Sequence, residues 1–171
     1  MDFTIRAVRP EEYAALGEIT ARAYLDDGFL AFGEDDAYLH LLRDVARRDA
    51  EAEVLVAVDT TDAAGTVLGG VTFTAGGEEW ADIAREGEAE FRMLAVAHAA
   101  RGRGVGEALV RACVDRARAV EGCARIVLST QRTMATAHRI YERLGFVRSP
   151  ERDWKPVQGL DLTLFTYVLE L

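Results

Sequence analysis

The feature that most constrains the fold is a glycine-rich loop between an apolar strand and an amphipathic helix. Residues 88–96 read as a strand, and apolar residues recur at helical spacing from about Val105 to Val120. The loop between them carries glycines at 102, 104 and 106. A strand that turns directly into a helix through such a loop predicts an α/β domain.

The composition of this loop favours binding of a phosphate group. Its glycines let the backbone turn tightly and approach a ligand without a Cβ clash. The first amides of the following helix lack internal partners, and the helix dipole attracts an anion to them. Arg101 and Arg103 can add charge-assisted contacts to the same group.

The loop pattern alone leaves two other interpretations open. A glycine-rich strand–helix turn with no ligand has the same appearance, because such short motifs give false positives. A dinucleotide-binding turn is the second alternative. It is disfavoured because the loop lies in the second half of the chain and its spacing departs from the dinucleotide fingerprint.

The rest of the chain predicts an α/β fold with a mixed sheet, since hairpins and crossover helices both occur. Strands are predicted at Phe3–Arg9, Val54–Val58, Thr66–Ala75, Glu88–Val96, Arg125–Thr130, Phe146–Arg148 and Leu160–Leu171. Helices are predicted from Pro10 to before Asp26, over Asp35–Arg48, over Val105–Val120 and over Thr133–Leu144.

Size and charge narrow the class of protein further. A chain of 171 residues is expected to form a single domain, 1–171. Its net charge of −9 argues against a nucleic-acid partner, and no apolar stretch is long enough to predict a membrane span. Neither the two cysteines nor the three histidines have metal-ligand spacing, so no metal is expected. With no targeting segment recognised, a cytoplasmic protein is predicted.

Two segments together carry a family resemblance. The first runs from Met93-Leu-Ala-Val to Arg101-Gly-Arg-Gly-Val-Gly-Glu-Ala-Leu, and the second is Ala137-His-Arg-Ile-Tyr-Glu-Arg-Leu-Gly-Phe146. They resemble the acyl-CoA signature of the GNAT superfamily of N-acetyltransferases and its A-x-x-x-Y-E-x-L-G-F element. The two segments in this order, separated by a strand, are a far more specific signal of the family than either segment alone.

The resemblance implies a GNAT-like mixed, mostly antiparallel sheet with splayed central strands and helices on both faces. It also implies acetyl-CoA as co-substrate. The backbone of Leu94, Ala95 and Val96 is expected to pair with the pantetheine arm. The expected pyrophosphate-binding residues are Arg101, Gly102, Arg103, Gly104, Val105, Gly106 and Glu107.

The resemblance places two residues in the chemistry. Glu90 stands where several members carry a glutamate base, although Glu88 is a near competitor and a water chain can replace either. Tyr141 matches the tyrosine that protonates the leaving thiolate in many members; packing in the core is its alternative role. Met134 departs from the pattern, because many members carry an asparagine there.

In the superfamily, the acceptor contacts the first two helices, the loop between them, and the final strands. The resemblance therefore implies that the acceptor contacts three stretches here, namely Tyr24–Asp36, Gly76–Gly87 and Ser149–Gly159. The predicted function is transfer of an acetyl group to a primary amine of a small molecule or protein. The alternative is a catalytically weak acyl-CoA sensor or regulatory module. No nucleic-acid or membrane partner is expected, and a homodimer is one expected state, since dimers are common in the superfamily.

Overall fold

The computed structural model describes residues 2–171, which form seven strands and five α-helices linked by short 3-10 turns. The strands are β1 (Phe3–Ala7), β2 (Glu53–Asp59), β3 (Val67–Ala75), β4 (Glu88–Val96), β5 (Arg125–Gln131), β6 (Val147–Arg148) and β7 (Leu164–Glu170). The helices are α1 (Tyr13–Asp26), α2 (Tyr38–Arg43), α3 (Val45–Glu51), α4 (Val105–Ala119) and α5 (Ala135–Arg143). The strands make one mixed, mostly antiparallel sheet in the order β1-β2-β3-β4-β5-β7-β6, which confirms the predicted fold class.

The chain divides into two compact units that share three elements. The first unit contains the chain up to Phe73 together with Met93–Ala112, and the second contains Thr74–Arg92 together with Cys113–Leu171. Their boundaries fall inside β3, β4 and α4. That the whole chain acts as one domain stays a prediction.

The first unit is built on the predicted hairpin. β2 and β3 pair antiparallel, with an irregularity between Ala57 and Val58, and β1 pairs antiparallel with β2. Apolar residues of β2 alternate toward α1 and α3, so that Val54 and Val56 join Leu16 and Val45 in a buried cluster.

The single helix predicted over Asp35–Arg48 is wrong, because the chain forms α2 and α3 with a break at Asp44. The Asp44 side chain accepts a hydrogen bond from the amide of Arg47 and so begins a new helix. The buried guanidinium of Arg48 donates to the carbonyls of Leu41 and Leu42, which ends the previous one. Helical periodicity continues through such a break, so the sequence pattern did not reveal it.

The second unit contains a short parallel strand pair. The ladder between β4 and β5 joins Glu88 to Arg125, Ala89 to Ile126 and Glu90 to Val127. β5 continues to Gln131 and pairs with β7 along its whole length. This short parallel ladder agrees with the expected splaying of the central strands.

The last strand is shorter than the predicted Leu160–Leu171, since β7 covers only Leu164–Glu170. The preceding segment turns instead of extending. The amide of Leu160 donates to the carbonyl of Val157, and that of Leu162 donates to the carbonyl of Leu160. Apolar residues alone gave no sign of these turns.

Candidate active site

The glycine-rich turn has the geometry that its sequence predicts. Gly102 and Gly104 have φ angles of +82° and +81°, a region that side-chain-bearing residues rarely adopt. A Cβ atom at either position would meet nothing within 4 Å, so the turn faces open space. Ligand atoms can therefore come close to this backbone.

The start of α4 presents amides without protein acceptors. The amide of Ala108 donates to the carbonyl of Gly104 at 3.1 Å. Within residues 2–171, the amides of Val105 and Gly106 have no acceptor, as expected for the first turn of a helix. The turn and the first turn of α4 thus offer N–H groups at the positive end of a 15-residue helix.

The two arginines of the turn are engaged with carboxylates. The guanidinium of Arg101 donates to Asp27 at 2.8 Å. Arg103 pairs with Asp2 and Asp59, each at 3.2 Å. The expectation that these arginines contact a phosphate requires them to exchange partners, whereas the main-chain amides need no rearrangement.

The second half of β4 contains a strained residue that the sequence did not indicate. Met93 has a φ angle of +57° and is buried. For a non-glycine residue, this conformation costs on the order of 1–2 kcal/mol, and such strain is concentrated at functional sites. Leu94, Ala95 and Val96, the expected pantetheine-binding residues, follow directly along the strand.

Glu90 lies on β4 in the second unit and is fully buried. Its Oε1 accepts hydrogen bonds from the amides of Ile83 at 2.9 Å and Ala84 at 3.0 Å. Its Oε2 has no hydrogen-bond partner within residues 2–171. Burial raises the pKa of Glu90 to about 7, although the two amides oppose this shift. A carboxyl group with this pKa can accept a proton near neutral pH.

Glu88, the competing candidate base, has a different environment. Arg152 donates to both of its carboxylate oxygens, at 2.8 and 2.9 Å, and the amide of Arg85 donates to Oε1 at 3.0 Å. Burial alone would raise the pKa of Glu88, but these hydrogen bonds and the charge of Arg152 hold it below its usual value. A carboxylate held ionised in this way is a poor proton acceptor.

Two further charged residues flank Glu90. Arg92, next but one on β4, pairs with Asp82 at 3.2 Å and donates to the carbonyl of Trp80 at 2.9 Å. Its guanidinium carbon also lies 5.5 Å from the centroid of the Trp80 ring. Trp80 is buried, so it packs within the unit instead of lining an open pocket.

Tyr141 lies in an aromatic cluster. Its ring centroid is 5.8 Å from that of Phe91, the residue next to Glu90, 5.9 Å from Phe146 and 5.7 Å from Tyr167. Burial raises the pKa of Tyr141 well above its ordinary value, with smaller contributions from Cys113 and Tyr167. The phenol therefore keeps its proton and is available as a donor.

Comparison with known protein families decides the class. The model of the acetyltransferase (GNAT) family matches residues 14–146, most of the chain. This chain belongs to the GNAT acetyltransferase family. Its enzyme class is therefore acyltransferase, and the matched range includes the glycine-rich turn, Glu90 and Tyr141. A comparison with the curated proteins finds no match.

Solved structures agree with the GNAT fold. yncA from Salmonella typhimurium, solved with its cofactor acetyl-CoA, is 23% identical with a TM-score of 0.70 and covers 100% of this chain and 95% of its own. A GCN5-related N-acetyltransferase from Kribbella flavida is also 23% identical with a TM-score of 0.70, covering 99% and 98%. NAA60 from Arabidopsis thaliana, solved with a bisubstrate analogue, is 19% identical with a TM-score of 0.73, covering 98% and 97%.

The candidate residues of this GNAT protein fall into two groups. The expected cofactor-binding residues follow one another along the end of β4, the turn and the start of α4 in the first unit. Glu90 and Tyr141 both lie in the second unit. Sequence reasoning missed the strained Met93 and the partners of Glu88, because neither has a periodic or motif signal.

Within residues 2–171, no group of three His, Cys, Asp or Glu side chains is arranged to hold a metal ion. Over the same residues, no helix is both long and apolar enough to cross a membrane.

Proposed function

We propose that this GNAT protein transfers an acetyl group from acetyl-CoA to a primary amine of a small molecule or protein. The amine attacks the thioester carbonyl directly while both substrates are bound. The carbon–sulfur bond breaks, the amine nitrogen loses a proton, and the products are an amide and CoA with a free thiol.

The open amides at the start of α4 carry this proposal. Val105 and Gly106 offer N–H groups to an anion, and Gly102 and Gly104 leave the approach to them clear. A pyrophosphate needs such a set of donors, and the residues that supply them here need no particular side chain. The neighbour from Salmonella typhimurium, solved with acetyl-CoA, supports the choice of donor.

Glu90 is proposed to receive the proton of the amine. An alkylamine with a pKa near 10.4 is only about one part in a thousand neutral at pH 7, so a base speeds its attack. The unpartnered Oε2 is the atom that can accept this proton, directly or through a water, because Oε1 already binds two amides.

Tyr141 is proposed to stabilise the leaving sulfur. A thiol has a pKa near 8.5, whereas burial keeps the pKa of this phenol above its ordinary value of about 10. Complete proton transfer from Tyr141 to the thiolate is therefore uphill. A hydrogen bond donated by the hydroxyl stabilises the negative charge without that cost, and solvent supplies the final proton.

An assay of free thiol release against a panel of amines tests the proposal. We expect acetyl-CoA-dependent turnover with at least one primary amine, and loss of about 10²–10³-fold in kcat/KM for Glu90→Gln. If acetyl-CoA binds tightly but no amine is acetylated, the protein is a sensor of acyl-CoA. If CoA produces no heat in calorimetry, the cofactor assignment itself is wrong.

A further inference from the structure

A six-residue segment of the second unit, Trp80–Arg85, is held in place by side chains of two other segments. It belongs to the 76–87 loop, which contains no helix or strand. Three successive amides of this segment, those of Ile83, Ala84 and Arg85, donate to carboxylates on β4. The first two bind Glu90 and the third binds Glu88, so the loop follows the strand closely.

The loop also approaches the strand through its own backbone. A Cβ atom at Gly76 would lie 1.9 Å from the carbonyl oxygen of Arg85, so only glycine fits there. The amide of Gly76 donates to the carbonyl of Glu88 at 2.7 Å. The two ends of the loop are thus closed against each other at the start of β4.

Arg152 connects this loop to a second one. Its guanidinium donates to both oxygens of Glu88 and, at 2.9 Å, to the carbonyl of Ile83. The peptide groups on either side of Ile83 are therefore fixed by the carboxylate of Glu90 and by Arg152, and Glu88 binds the amide of Arg85 that follows. The side chains of Arg152 and Glu88 are only 11% and 3% exposed, so water does not easily replace these bonds.

Arg152 itself has a rigid support. It ends a 3-10 turn within residues 149–159, and its carbonyl accepts a hydrogen bond from the fully buried Thr166 hydroxyl of β7. The next residue, Asp153, accepts from the amide of Thr166 and pairs with Arg148. Movement of Arg152 would require these contacts to break.

We propose that Arg152 and Glu88 form a positioning pair that holds the 76–87 and 149–159 loops together as one preformed wall for the acceptor amine. The inference rests on the proposed function and on the expectation from the family resemblance that both loops contact the acceptor. The pair acts through the Ile83 peptide, which carries one of the two amides on Glu90. Arg152 and Glu88 themselves touch no reacting atom.

Steady-state kinetics of Arg152→Gln tests the pair, with Arg125→Gln as the matched control. Arg125 reaches the same carboxylate at 3.4 Å and also pairs with Glu170 but makes no recorded bond to Ile83, so it isolates the loss of charge beside Glu88. We expect the acceptor KM of Arg152→Gln to rise about tenfold, with the KM for acetyl-CoA changed less than about twofold. Arg152→Lys, which keeps the charge but not the paired donors, should recover part of the loss.

Hydrogen exchange provides the readout that does not depend on turnover. In the wild-type protein the amides of Ile83 and Ala84 should exchange more slowly than that of Gly77, after correction for intrinsic rates, because Gly77 has no acceptor within residues 2–171. In Arg152→Gln the amides of Ile83 and Ala84 should exchange about tenfold faster than in the wild type, while the exchange rates of the β5 amides are unchanged.

Three outcomes would overturn the proposal. One is equal acceptor KM for Arg152→Gln, Arg125→Gln and the wild type, and another is an equal rise in the KM of both substrates. The third is fast exchange of Ile83 and Ala84 in the wild type, which decides the matter even if Arg152→Gln fails to fold. If the wild type acetylates no amine, the proposed function fails, whereas exchange still shows whether the pair holds the loop.

Discussion

At the scale of single residues, two glutamates on one strand show how surroundings divide their roles. Glu88 and Glu90 are two residues apart, so their side chains leave the same face of β4. Glu88 meets the guanidinium of Arg152 and stays ionised, whereas Glu90 meets two amides on one oxygen and no donor on the other. The sequence predicted both as candidate bases, and only the donors that meet each carboxylate distinguish the two.

The raised pKa of Glu90 predicts a pH-dependent stability difference. Because its pKa in the folded protein, about 7, exceeds the ordinary value of 4.5, folding favours the protonated form. This contribution is complete below pH 4.5 and is lost as the pH rises to 7. Glu90→Gln should therefore gain stability relative to the wild type as the pH rises through this window, by up to roughly 3 kcal/mol.

Urea unfolding at pH 5 and pH 8.5 measures this difference. Glutamine can still accept the amides of Ile83 and Ala84, so the loop should stay in place. Glu88→Gln is the control, since it removes a carboxylate that the fold keeps ionised, and it should lose stability at both pH values. An equal stability difference for Glu90→Gln at the two pH values would show that Glu90 ionises normally.

Tyr141→Phe is predicted to separate chemistry from packing. The ring contacts with Phe91, Phe146 and Tyr167 remain when the hydroxyl is removed. We expect kcat to fall by about 10–100-fold. The melting temperature should change by less than about 2 °C, since roughly 0.5 kcal/mol is at stake. If kcat is unchanged, Tyr141 has only a packing role in the core.

At the scale of elements, the turn before α4 presents main-chain amides that are free to bind a ligand beside arginine side chains that are already paired. Arg101 and Arg103 are already paired with carboxylates, whereas the amides of Val105 and Gly106 are not. A ligand that binds the amides leaves these ion pairs intact. The pair between Arg101 and Asp27 is exposed and contributes little, so exchange of Arg101 toward a phosphate is also inexpensive.

Gly104→Ala is predicted to weaken CoA binding by about tenfold, since an Ala side chain disfavours the φ of +81° and so shifts the amides. Gly122→Ala is a matched control, because Gly122 has a φ of +78°, no neighbour within 4 Å of a Cβ atom, and no place in the turn. Both changes should cost about 1 kcal/mol of stability. Calorimetry with CoA should show weaker binding for Gly104→Ala alone, and equal affinities would contradict the amide mechanism.

The bounds of the elements also show which parts of the fold the sequence could predict. The bounds of β4 and the start of α4 were predicted correctly, because an apolar strand and an amphipathic helix meet at glycines that end one pattern and begin the other. The break at Asp44 was not predicted, because it depends on the side chain of Arg48, which the periodicity placed at the end of a single helix. The 76–87 loop, which supplies the two amides that bind Glu90, has no repeating pattern from which to predict its structure.

At the scale of the whole molecule, CoA binding should stabilise the fold through linkage. A ligand present at one hundred times its Kd adds about 2.7 kcal/mol to the free energy of unfolding. For a chain of this size, that is a rise of roughly 5–10 °C in melting temperature. A CoA titration followed by thermal unfolding measures the rise, and Gly104→Ala should shift the curve to higher CoA concentrations. A melting temperature independent of CoA would refute specific binding.

The interleaving of the two units limits how the protein can be recombined. The chain passes from one unit to the other after Phe73, after Arg92 and after Ala112, and each crossing lies inside β3, β4 or α4. A chimera that takes one unit from a relative therefore needs three junctions, each in the middle of a hydrogen-bonded element. Under the proposed acceptor wall, residues 76–87 and 149–159 would have to be grafted as a matched pair to change the acceptor preference.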